Sequence, residues 1–142
     1  MENLYVSYKD KVQFFLIYIS EAHPNLLKAV GRQRPKNIKE RAILATKCVS
    51  ELKLSLPLLL DTMDGVAEKV YKARPDRICV VDVDGKVAYY SGRGPWGFKP
   101  KDAEAVIEKL LAHDGRLPST ASNVSQGQAS GEYNNFLRRV SN

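Results

Sequence analysis

The apolar residues fall into two periodicities, and the alternation between them sketches the fold. Val12–Ile19 (VQFFLIYI) is short, aromatic, β-branched and continuously apolar from Phe14, a pattern that suits a strand covered on both faces. Residues 2–9 before it read as the end of a helix, with Leu4, Tyr5 and Tyr8 on one side. Asn37 and Glu40 have the spacing of a capping box, and Ile38, Ala42, Ala45, Val49 and Leu52 follow at helical intervals, which predicts a helix over 38–53. Leu56–Leu60 reads as a second buried strand ending at Asp61. Asp64 is then expected to cap a short helix carrying Val66, Ala67, Val70 and Tyr71. Ile78–Val83 and Lys86–Tyr90 flank Asp84-Gly85, the signature of a type I′ hairpin. A glycine-rich loop, Ser91–Phe98, leads to a last helix opened by Pro100 and stopped by Gly115, with Ala103, Val106, Ile107, Leu110 and Leu111 on one face.

The order β-α-β-α-β-β-α combines a parallel βαβ unit with an antiparallel hairpin. That is an α/β domain with a mixed sheet. It is expected over residues 1–115. Residues 116–142 are mostly Ser, Asn, Gln, Gly and Thr, too poor in apolar groups to offset the entropy of ordering, and read as a disordered tail.

Composition narrows the picture without naming a function. The 142 residues are 44% hydrophobic and 27% charged, which suits a globular chain and excludes a collagen-like repeat or a disulfide-rich mini-protein. The formal charge of +6 is concentrated between Lys28 and Lys53, where eight Lys or Arg face only Glu40 and Glu51. No aromatic side chains interleave with those charges, so a solvated basic loop and helix is the expectation and nucleic acid is disfavoured as a partner. Cys48 and Cys79 lack any metal-binding spacing and lie in apolar runs, so buried free thiols are expected, with no metal and no cofactor. The N-terminus has charges where a signal peptide needs an apolar core, and Phe14–Ile19 is too short to span a bilayer. A cytoplasmic protein without a membrane partner is the expectation.

Three segments in this order resemble one family. Tyr18–His23 (YISEAH), Leu58–Asp64 (LLLDTMD) and Arg74–Phe98 (RPDRICVVDVDGKVAYYSGRGPWGF), with the closing helix, are similar to the iodothyronine deiodinases and the bacterial deiodinase-like redoxins of the thioredoxin-fold superfamily. The similarity covers roughly residues 4–112. It implies a thioredoxin-like sheet flanked by helices and reductive removal of iodine at a cysteine or selenocysteine regenerated by thiols. It also implies that Glu21 and His23 lie near the reaction centre and that His23 and Arg93 hold the two ends of an iodothyronine-type aromatic ligand. A histidine titrating near neutrality can pass a proton or donate to a phenolate, and an arginine on a glycine-flanked loop can grip a carboxylate with two hydrogen bonds. Tyr18 and Trp96 join the expected binding residues, although Trp96 reads first as a packing anchor for its loop. The resemblance also places a cis-proline before the third strand, at Pro75, while leaving the isomer open in this chain. Asp61 and Asp64 read as strand-end and cap residues rather than metal ligands.

The chain departs from the family in one respect. The family's first strand and nucleophile-bearing turn precede the helix at residues 2–9, no cysteine lies upstream of Val12, and neither Cys48 nor Cys79 matches the catalytic position. The expectation is a domain lacking its first strand, inactive as it stands, whose uncovered sheet edges close up or pair with a second copy in a homodimer. The alternatives are a non-catalytic binding module, or a peroxiredoxin-like thiol protein if an upstream segment restores the nucleophile.

Overall fold

The computed structural model describes residues 1–21 and 34–117. His23, Pro24, the basic residues Lys28 and Arg32 and nearly all of the expected tail lie outside the described residues. The chain divides into two compact units at Pro75/Asp76. It is mixed α/β, in keeping with the thioredoxin-like expectation, and both parallel and antiparallel pairing are present.

The first unit opens with α1 (Glu2–Tyr8), whose Leu4 is buried and whose Tyr5 meets Phe14 edge-on at 5.6 Å. Strand β1 is only Leu16–Tyr18, shorter than expected. The N–H groups of Lys11 and Val12 turn back to the Tyr8 carbonyl, so the segment after α1 is still coiled where a strand was expected to begin. Helix α2 (Ile38–Glu51) packs on β2 (Leu58–Leu60), which runs parallel to β1. The capping box at Asn37 is present, its side chain accepting the Glu40 N–H at 3.0 Å.

Two-sided burial of this pair is not observed. Ile17 and Leu59 are neighbours in register, yet remain 39% and 44% exposed. α2 packs on β2, and these two positions of the pair are left exposed. Helix α3 (Val66–Val70) follows, and Asp61 rather than Asp64 caps it. The Asp61 carboxylate accepts from the N–H groups of Thr62, Ala67 and Glu68, while Asp64 stays exposed.

The second unit is a hairpin, β3 (Cys79–Val81) with β4 (Val87–Tyr90), covered by α4 (Pro100–Leu111). Ala103, Val106, Ile107 and Leu110 are buried from α4, with Ile78, Val80 and Tyr90 from the hairpin. At about 1.5–3 kcal/mol for each large apolar side chain, this layer is the unit's main source of stability. The turn is not type I′. Gly85 is left-handed (φ +79), but Asp84 keeps a negative φ, and the Gly85 N–H returns to the Asp82 carbonyl at 3.1 Å. Asp82 Oδ1 accepts the N–H groups of Asp84 and Lys86 at 2.9 and 2.8 Å. That side chain holds a three-residue loop of the type I plus left-handed glycine kind, which a reading of Asp84-Gly85 alone could not anticipate.

Candidate functional site

The carboxyl end of β1 carries the first group of expected residues. Tyr18 is the last residue of the strand, and Ser20 and Glu21 follow it out of the sheet. Burial pushes the Tyr18 phenol up to about 12. The Glu21 charge, Cys48 and a hydrogen bond with the Glu21 carboxylate add to this, and the Arg41 cation opposes it. Tyr18 and Glu21 are therefore brought together at the strand end. Glu21 Oε1 is buried and has no hydrogen-bond partner among the described residues. A carboxylate oxygen withdrawn from water without a donor is costly, and it offers an acceptor to any N–H or O–H brought against it.

A clamp holds the backbone of this segment in place. The N–H and Oγ of Ser20 both donate to Glu68 Oε2. Arg74 forms an ion pair with Glu68 at 3.4 Å, and its Nη2 donates to the Glu21 carbonyl at 3.0 Å. Glu68 stands on α3, whose N-terminus Asp61 fixes, so the strand end, the cap and the clamp form one connected set. Arg41, only 3% exposed, joins from α2 and donates through Nη1 to the carbonyls of Asp61 and Thr62 at 3.0 and 2.6 Å.

Sequence reasoning missed Glu68, Arg74 and Arg41 as supports. Glu68 and Arg74 are six residues apart across a helix end and carry no periodic signal. Arg41 does carry one: it lies four residues before the fully buried Ala45, on the helix face where an apolar residue belongs.

The second unit holds Arg93 and Trp96 on the turn after β4. Arg77 donates to the Ser91 carbonyl at 2.7 Å and lies 4.7 Å over the Tyr90 ring, and Ser91 Oγ accepts the Ile78 N–H. The Gly97 N–H donates to the Arg93 carbonyl at 2.9 Å, closing a five-residue turn that includes both side chains. Arg93 is exposed and Trp96 is 90% exposed, so the packing-anchor reading of Trp96 does not hold. Both Arg74–Pro75 and Gly94–Pro95 are cis peptides.

Cys48 and Cys79 are both free thiols. Burial pushes the Cys79 thiol up to about 11, which suits an inert side chain rather than a nucleophile. Among the described residues no group of three or more His, Cys, Asp or Glu could hold a metal, and no helix is long and apolar enough to cross a membrane.

Comparison with known proteins adds the following. The family model described as iodothyronine deiodinase matches residues 1–111. The type I iodothyronine deiodinase of Xenopus laevis is 34% identical over 100 residues, 68% of this chain and 39% of that protein. The type II iodothyronine deiodinase of Fundulus heteroclitus is 31% identical over 111 residues, 71% of this chain and 41% of that protein. The thyroxine 5-deiodinase of Gallus gallus is 30% identical over 128 residues, 87% of this chain and 48% of that protein. The chain thus spans less than half the length of each of these three relatives.

Proposed function

Because this chain belongs to the iodothyronine deiodinase family, we propose that it takes an iodothyronine-type aromatic ligand and serves the reductive dehalogenation chemistry that its relatives are named for. Replacing C–I by C–H consumes two electrons. Two thiols supply them, becoming one disulfide as iodide and a proton are released. The first thiol or selenol must be a low-pKa nucleophile, and neither Cys48 nor Cys79 stands where the family places it. In this reading the 142 residues by themselves bind the ligand without turning it over.

The observation that carries the reading is the Tyr18–Glu21 pair at the end of β1, with one carboxylate oxygen buried and unpartnered. Such an oxygen is suited to accept a ligand hydroxyl, and by the family resemblance His23 and Arg93 are the residues expected to hold the ligand's two ends. Equilibrium dialysis against thyroxine tests this. Saturable binding that weakens in Glu21→Gln, His23→Ala and Arg93→Ala, without iodide release in dithiothreitol, is the expected result. Absence of binding overturns it.

A second reading, self-association through the β1–β2 pair, is favoured by the exposure of Ile17 and Leu59 side by side. Light scattering coupled to size exclusion tests it: dimers that dissociate in Ile17→Lys are expected, and a strict monomer overturns it.

A further inference from the structure

We propose that Trp96 is the stacking platform for the aromatic ring of the ligand, setting a preference for aromatic over aliphatic carboxylates. The proposal rests on the reading that the chain takes an iodothyronine-type ligand, and it assigns a residue that the turn itself does not need. The turn is held by its own backbone. The Gly97 N–H closes on the Arg93 carbonyl at 2.9 Å, and the Gly94 N–H on the Asp76 carbonyl at 3.3 Å. Gly92 and Gly97 approach so closely that a Cβ on Gly97 would lie 2.3 Å from the Gly92 carbonyl carbon. Ser91 at its base is 1% exposed and hydrogen-bonded to the Ile78 N–H at 2.9 Å.

The indole contributes nothing to this scaffold. At 90% it is the most exposed large apolar side chain among the described residues, the next being Ile43 at 67%. A rigid turn that displays an indole in water is preorganised: stacking a ring on it orders little backbone, and most of the gain appears as affinity. Arg93 lies three residues away in the same turn, exposed and without an ion-pair partner among the described residues. An indole face and a guanidinium fork on one five-residue turn suit a molecule whose ring and carboxylate are close together. The alanine-bearing ring of an iodothyronine, or a diiodotyrosine, has that form.

Trp96 is the only tryptophan in the chain, so its emission reports this turn alone. The 142-residue protein would be titrated with thyroxine and with 3,5-diiodotyrosine, using N-acetyltryptophanamide to correct for absorbance and collisional quenching. Dialysis would be run in parallel on Trp96→Ala and Trp96→Phe. Saturable quenching by both ligands is expected. Affinity should fall about three- to tenfold in Trp96→Ala and return in Trp96→Phe. An unchanged thermal midpoint in Trp96→Ala shows that folding is not the cause. Equal dialysis affinity in Trp96→Ala, or binding without any change in emission, overturns the platform while leaving the ligand reading intact. No binding by dialysis overturns both. An emission change that appears only with anionic phospholipid vesicles, and not with either ligand, makes the turn a membrane contact and overturns the proposal.

Discussion

Asp61 Oδ2 accepts the Glu68 N–H at 2.9 Å, tying the residue that follows β2 to the helix that carries the Ser20 clamp. The same carboxylate takes the Ala67 N–H at 2.8 Å and the Thr62 N–H at 2.9 Å while remaining 3% exposed. The left-handed Gly65 at the cap position has no side chain to supply these bonds, so Asp61 reaches across the turn. Asp61→Ala strands three amides, and should destabilise the protein by about 2–4 kcal/mol, combining cap loss with unsatisfied donors. Asp61→Asn, which keeps one acceptor oxygen, should lose less than half as much. Urea denaturation of the three proteins checks the order.

Arg41 gives a different kind of prediction. Its guanidinium is buried without a carboxylate partner in hydrogen-bonding contact among the described residues, and its Nε is unsatisfied. Its measurable role is to bind the Asp61 and Thr62 carbonyls. Arg41→Ala leaves those carbonyls and a cavity, for a loss of about 2–4 kcal/mol. Arg41→Met refills most of the volume and removes the buried charge, so it should be clearly less harmful. If the two variants melt at the same temperature, the lost carbonyl bonds rather than packing account for the contribution of Arg41.

The contrast between these two residues shows what the sequence could and could not convey. The helices α2 and α4 were legible because each puts apolar residues on one face and marks its start, with Asn37–Glu40 and with Pro100. The strands were legible in place but not in extent, since an apolar run does not say where backbone pairing stops. Phe14 is buried against Tyr5 without being in the ladder. Tyr18 and Glu21 were legible only through resemblance. The Asp61 cap and the Arg74–Glu68 clamp depend on where chain segments return in space, and Asp64 was the nearer, wrong choice for the cap. Trp96 was misread because an indole is usually buried, whereas here close glycine contacts hold the loop instead.

Those glycine contacts make a graded prediction. A Cβ on Gly97 would meet Gly92 backbone at 2.3 Å, and neither strand of the turn can move without breaking the Gly97–Arg93 hydrogen bond. A Cβ on Gly94 would strike first the Asp76 carboxylate, at 1.7 Å, which is the end of an exposed side chain rather than backbone. Gly97→Ala should therefore lower the thermal midpoint severely, by the equivalent of about 2 kcal/mol or more. Gly94→Ala should cost under about 1 kcal/mol and be restored by adding Asp76→Ala. A larger loss in Gly94→Ala than in Gly97→Ala would mean that the Asp76 side chain is held in place and the backbone is the part that yields.

Alkaline titration separates two half-buried acids. Cys79 is raised from 9.0 to about 11 by burial, and Tyr18 from 10.0 to about 12 by burial and the neighbouring Glu21 charge. Both folded values lie above the unfolded ones, so the native state holds these protons more tightly. Their contribution is fully present below pH 9. It is lost in two steps as the unfolded chain ionises first, from pH 9 to 11 for the thiol and from 10 to 12 for the phenol. Cys79→Ala should remove the lower step and Tyr18→Phe the upper one when denaturation midpoints are followed from pH 8 to 12. Glu21→Gln, which deletes the neighbouring negative charge, should move the Tyr18 phenolate transition to lower pH by ultraviolet difference absorbance. If that transition stays in place, burial alone sets it, and the Glu21 carboxylate is not electrically coupled to the phenol.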